Sequence, residues 1–172
     1  DAVLYGSATV LAARGVVRLT SSEYGETGSI VLSIVDGARP ISAFRASFSI
    51  SMSGGSCGHA GISEHCGAEG VSFVYGHLPT AAFGEADWWS GLRVSMLTGS
   101  APRVVVTYDD AVLASVDAGL RTDFLVAVVV SYTPRGLNVV YDGIAVVADL
   151  TVAHWHPEPG WRFGFGARTS GS

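Results

Sequence analysis

The sequence predicts an all-β protein, a two-sheet antiparallel β-sandwich of jelly-roll type. Three observations predict it. Apolar residues recur with a period of two along most of the chain, turn residues punctuate those runs at hairpin spacing, and no segment carries a helical stripe. Side chains of a strand point alternately to opposite faces, so a period of two builds one buried face and one wet face per strand.

Taken in chain order, Phe44, Ala46, Phe48 and Ile50 alternate with Arg45, Ser47, Ser49 and Ser51, the pattern of a half-buried strand. Leu92, Val94 and Met96 repeat it. Val104–Tyr108 and Ala111–Val116 flank Asp109-Asp110, which reads as a two-residue hairpin turn. The longest apolar run, Phe124–Val130, is strand-sized and rich in β-branched residues. Thr133-Pro134-Arg135-Gly136 joins it to Leu137–Tyr141, and Asp142-Gly143 predicts a second tight hairpin. Beyond it Ile144, Val146, Ala148, Leu150 and Val152 are expected on one face. Trp161, Phe163 and Phe165 close the series, separated by Arg162 and Gly164.

The chain has 172 residues, the size of one domain, and 48% of them are hydrophobic against 15% charged, which excludes a disordered chain. The 22 glycines are spread along the sequence, as many short strands and turns require. A net charge of -5 argues against nucleic acid, which needs a basic surface. All ten basic residues are arginine, and the single asparagine, Asn138, is not in a glycosylation sequon. No apolar run is long enough to cross a bilayer as a helix, so membrane insertion is not expected.

Three segments break the strand rhythm, and function on β-sandwiches gathers on such connections. They are Ser53–Gly67, Gly76–Gly91 and His154–Gly160. The first holds Cys57 and Cys66 with His59 and His65 between them. A local disulfide in an oxidising compartment is the preferred reading; a Cys/His zinc site and two free thiols are the alternatives. The second holds the pair Trp88-Trp89 between Asp87 and Ser90. Neighbours in an extended segment face opposite ways, so at least one indole is expected at the surface; the competing reading has one plugging the sandwich end and the other covering Pro79. His154, Trp155 and His156 form a second aromatic cluster, for which rim packing is favoured over ligand binding.

Read together, several segments resemble the concanavalin A-like (L-type) lectin and glucanase superfamily. Ala43–Ile50 looks like the strand before that family's sugar-binding loop. Ala68-Glu69-Gly70-Val71-Ser72-Phe73-Val74 is similar to the Ala-Asp-Gly strand of legume-type lectins, Gly91–Met96 to the strand that follows, and Pro159–Gly171 to the strand and loop that close the site. The order matches from about Ala43 to the end. The resemblance implies a single concanavalin A-like domain over residues 1–172, stopping where relatives continue into a further strand. It implies that Glu69, one methylene longer than the family's aspartate, accepts hydrogen bonds from sugar hydroxyls beside Gly70. Arg168, Thr169 and Ser170 then lie where the closing loop contacts sugar, with Trp88 and Trp89 as the aromatic platform. Legume-type relatives also bind calcium through acidic residues after the strand matching Leu92–Met96. Here Leu97 stands where an aspartate is expected in Met96-Leu97-Thr98-Gly99-Ser100, so no cofactor is expected.

Laminarinase-like members use Glu-x-Asp-x-x-Glu, because a retaining glycosidase needs two carboxylates about 5 Å apart. The nearest match, Glu85-Ala86-Asp87-Trp88-Trp89-Ser90, ends on Ser90, which is no general acid, and it sits in a loop. No Gly-x-Ser-x-Gly elbow is present either. The expectation is therefore a non-catalytic glycan-recognition or adhesion module of an extracellular or cell-surface protein. Its partners would be a glycan or glycoprotein and the neighbouring domains of a larger chain. The alternative is a structural or assembly sandwich that binds no sugar. For the cysteines, alkylation of the native protein should label neither Cys57 nor Cys66 until a reductant is added. Labelling without reductant overturns the disulfide.

Overall fold

Most of the period-two runs form strands where the pattern predicts them, and the computed structural model describes residues 1–21, 23–53, 68–87, 90–99 and 101–169. In chain order the strands are β1 (Ala2–Gly6), β2 (Thr9–Leu11), β3 (Val16–Arg18), β4 (Thr27–Leu32), β5 (Phe44–Ile50), β6 (Ala68–Gly76) and β7 (Gly91–Leu97). They continue as β8 (Arg103–Tyr108), β9 (Ala111–Asp117), β10 (Val126–Thr133), β11 (Gly136–Tyr141), β12 (Ile144–Leu150) and β13 (Arg162–Thr169). A seven-stranded sheet runs β1-β4-β13-β6-β7-β8-β9, and a four-stranded sheet runs β12-β11-β10-β5. All pairings within them are antiparallel. The small hairpin β2-β3 stands apart from both.

The two sheets meet face to face through the residues whose alternation marks them as inward. Val71, Phe73 and Tyr75 of β6, Leu92, Val94 and Met96 of β7, and Val104, Val106 and Tyr108 of β8 line one layer. Val126, Val128, Val130 and Tyr132 of β10 with Leu137, Val139 and Tyr141 of β11 line the other. Each large side chain so buried contributes about 1.5–3 kcal/mol. Toward β13 the core turns aromatic. Phe163 stacks on Tyr75 with centroids 4.5 Å apart, and Phe165 meets Phe48 edge-on at 4.8 Å. Trp155 packs against Tyr132 at 4.0 Å, so the centre of the His154–His156 cluster closes the end of the core.

Both tight hairpins form as predicted. Asp109 and Asp110 have φ of 45° and 65°, and Asp142 and Gly143 have 50° and 76°. Positive φ at both central residues gives the turn whose twist matches that of the flanking strands.

The sequence pattern fails at β12. Ile144 is 67% exposed, whereas Val147, assigned by alternation to the other face, is 6% exposed. The reason is a register shift: Val139 pairs with Val147 but Val140 pairs with Ala145, which leaves one residue extra and reverses the facing beyond it. A further irregularity lies at Asp149, with φ of 49° and its N–H donating to Asn138 Oδ1 at 3.0 Å. Phe124 and Leu125 are also exposed, because β10 begins only at Val126.

The other face of the seven-stranded sheet is covered by the connection between β6 and β7. Leu78 and Phe83 of that connection bury themselves against Val31 and Val74. Space for them comes from small outward residues on β13: a Cβ on Gly166 would stand 2.3 Å from the Phe83 ring. Phe83 is 1% exposed, so it pins the connection across the sheet. Phe83→Ala should cost about 3–5 kcal/mol of stability, read as a lower urea midpoint with an unchanged slope.

Candidate functional site

The pairing of β6 with β13 brings together residues about a hundred positions apart. Arg168 lies opposite Gly70 and Thr169 opposite Ala68, with a register irregularity between them. Four residues singled out in the sequence, Glu69, Gly70, Arg168 and Thr169, therefore meet at one rim of the sandwich. Trp88 and Trp89, like Cys57 and Cys66, lie outside the described residues.

Gly70 is there because nothing larger fits. Its φ is 157°, and a Cβ would come within 2.4 Å of the Met96 carbonyl oxygen and 3.1 Å of Glu85 Cγ. Thr169 turns inward. It is 1% exposed, and its hydroxyl accepts from the Glu26 N–H at 2.8 Å and donates to the Glu23 carbonyl at 2.7 Å. Its side chain thus ties the rim to the segment before β4.

Arg168 points to the outer face, where the β6–β7 connection folds back over it. Its Nε donates to Glu69 Oε2 at 3.1 Å and its Nη2 to Glu85 Oε1 at 3.1 Å, while Nη1 lies 3.7 Å from Asp87 Oδ1. One guanidinium thus gathers three carboxylates of graded exposure. Glu69 is 38% exposed, Asp87 is comparable, and Glu85 is only 3% exposed. Asp87 also accepts from the Gly84 N–H at 2.7 Å, and its carbonyl accepts from Arg93 Nη1. Ser95 Oγ donates to the Glu85 carbonyl at 2.6 Å. The outward polar residues of β7 and β13 therefore hold the connection by its backbone and by its charges.

Burial dominates the electrostatics. It raises the Glu85 pKa above the ordinary glutamate value; the residue's own backbone N–H and Arg168 pull the other way, and Glu69 adds repulsion. For Arg168, burial works against the charge, but Glu85, Glu69 and Asp87 outweigh it and raise the pKa. Among the described residues Glu85 Oε2 and Arg93 Nε are buried without a hydrogen-bond partner. Sequence reasoning considered Glu85 and Asp87 only as an incomplete catalytic motif and missed their pairing with Arg168. The available signal was a glutamate set among the small residues Ala82, Gly84 and Ala86.

At the other end of the strands lies a concavity of about 630 Å³ whose walls include His77, Tyr108, Asp109, His156, Glu158 and Trp161. His156 of the second aromatic cluster reaches it, and its N–H donates to Tyr108 Oη at 2.8 Å.

The sequence matches no protein-family model and no curated protein. Solved structures do match. The VIP36 exoplasmic/lumenal domain in its Ca2+/Man-bound form superposes with a TM-score of 0.68 at 20% identity, over 98% of this chain and 76% of that one. The Emp46p carbohydrate recognition domain, in a potassium-bound form, gives 0.71 at 15% identity, over 99% and 82%. The Emp47p carbohydrate recognition domain gives 0.67 at 15%, over 98% and 80%. This chain has the L-type lectin fold. The concanavalin A-like sandwich expected from the sequence is thereby established, and within that lectin fold the Glu69 rim is built at the start of β6.

Two of those structures hold a metal ion, and the described residues here do not suit calcium. That ion takes six to eight hard oxygen ligands. After β7 the chain offers Leu97 and a Thr98 that is 1% exposed, with its carbonyl accepting from Arg121 Nη2 at 3.1 Å. The rim carboxylates face Arg168, and among the described residues no group of three His, Cys, Asp or Glu side chains is set out to hold a metal.

The raised Glu85 pKa has a definite sign. Between the unfolded glutamate value and the higher folded one, the native state binds more protons, so stability falls as pH rises through that interval. Thermal melts across this range should show the wild type losing stability relative to Glu85→Gln as pH increases. A difference that is flat or opposite in slope would contradict the assignment.

Proposed function

We propose that the chain is a non-catalytic glycan-recognition module whose ligand docks at the Glu69 rim. The carrying observation is a half-exposed Glu69 carboxylate held in place beside the tightly packed Gly70 by Arg168. An ionised carboxylate is acceptor-only and suits the hydroxyl donors of a sugar. The fold supports the reading, since VIP36 and Emp46p structures of the same fold are those of an exoplasmic/lumenal domain with Man bound and of a carbohydrate recognition domain. Trp88 and Trp89 follow Asp87 in sequence, and in this reading they are the apolar platform for a ring.

Charge narrows the ligand class. Arg168 faces Glu69, Glu85 and Asp87, and Arg93 interacts with Asp110, Asp87 and Glu85, so the cluster carries four carboxylates against two guanidiniums. The excess negative charge disfavours uronic or sialic acids and suits neutral sugars. The compartment in this reading is non-cytosolic, at the cell surface or outside it, with the Cys57–Cys66 pair oxidised and neighbouring domains in the same chain.

Calorimetric titration with mannose, Man2 and Man3GlcNAc, the sugars of the VIP36 structures, tests it. Saturable binding is expected, weakened about tenfold or more by Glu69→Ala, equivalent to about 1.4 kcal/mol. Trp88→Ala should weaken it as well. If a broad panel of neutral glycans shows no saturable binding to the folded protein, the glycan reading falls and the structural-module alternative replaces it.

A further inference from the structure

The Ca2+-bound VIP36 and potassium-bound Emp46p structures pair this fold with a metal ion. In the present chain a guanidinium is seated among the rim carboxylates. We propose that Arg168 acts at this rim as a built-in cation, a positioning residue that aims Glu69, so that the rim works without calcium. The positioning role rests on the reading of Glu69 as the ligand's acceptor.

Three features carry it. First, the three nitrogens of Arg168 divide among three carboxylates, at 3.1 Å to Glu69, 3.1 Å to Glu85 and 3.7 Å to Asp87. A hard cation at this place would need those same oxygens and would have to expel the guanidinium. Second, Arg168 is confined. A Cβ added to Gly84 would lie 3.2 Å from the Arg168 Cβ, so the connection packs directly onto its stem. Third, Glu85 is almost wholly buried, and its Oε2 has no hydrogen-bond partner among the described residues. A carboxylate in that position needs a permanent positive neighbour, because a buried charge without a partner is strongly disfavoured. A side chain of the same chain is always present, whereas an ion can dissociate.

The test begins with thermal melts of the wild-type protein in EDTA and in millimolar CaCl2. The two melting temperatures should coincide. Arg168→Met leaves the three carboxylates without their guanidinium and should acquire stabilisation by calcium, whereas Arg168→Lys, which keeps a cation, should not. With Man3GlcNAc as the probe, wild-type affinity should agree within about twofold in EDTA and in calcium. Arg168→Lys should retain part of the binding that Arg168→Met loses. Calcium stabilisation of the wild type, or sugar binding lost in EDTA and restored by calcium, overturns the proposal. Should Arg168→Met fail to fold, the wild-type melts and Arg168→Lys still decide it. A wild type indifferent to calcium that binds no sugar refutes the glycan reading and leaves the cation replacement standing.

Discussion

A carboxylate buried to the extent of Glu85 stays charged only if something compensates that charge, and the rim supplies the compensation. Arg168 supplies the compensation from the neighbouring strand, and the consequences spread outward. Because Glu85 sits in the β6–β7 connection and Arg168 on β13, their pairing clamps an irregular segment across a regular sheet. Phe83 on Gly166 clamps the same segment with apolar contact, and Ser95 and the Gly84–Asp87 turn hold its backbone. Fold and site therefore share one set of interactions. Removing one partner of such a pair costs about 3–5 kcal/mol, since the other charge is left buried.

The same pairing explains the placement of Glu69. On its own, a glutamate at the start of an exposed strand end samples several rotamers, and ordering them on binding costs free energy. Arg168 Nε holds one carboxylate oxygen, so the rotamers of Glu69 are already restricted in the folded chain. The extra methylene relative to an aspartate lengthens the reach of the carboxylate from the backbone of β6. Its partner stands on the adjacent strand, at the position paired with Gly70.

How much of this was legible in the sequence depended on the range of the interaction. Phe44–Ile50, Leu92–Met96 and the two aspartate turns were readable because their patterns are local and strict. β12 was not, since a bulge against β11 reverses the facing of Val147, and the bulge is a property of the pair of strands. Strands β1 and β4 also gave no period-two signal strong enough to be singled out; β4 places Gly28 and Ser29 in buried positions. At the site, Glu69, Gly70 and Arg168 came from the resemblance to a lectin strand order. The Arg168–Glu85 contact did not, because it joins residues 83 positions apart and depends on how a loop folds over a sheet.

In the proposed arrangement a guanidinium takes the place of a dissociable ion, which would change what the rim responds to. A metal-held carboxylate loosens when ion concentration falls, but Arg168 stays charged at any physiological pH and cannot leave. What remains adjustable is the acid side of the cluster. Burial raises the Glu85 pKa, so protonation reaches this carboxylate sooner than an ordinary one as pH falls. Once Glu85 is neutral, Arg168 has lost its most buried counter-charge, and its remaining charged partners are Glu69 and Asp87. If Arg168 stands in for a metal as proposed, the rim couples to proton concentration through Glu85.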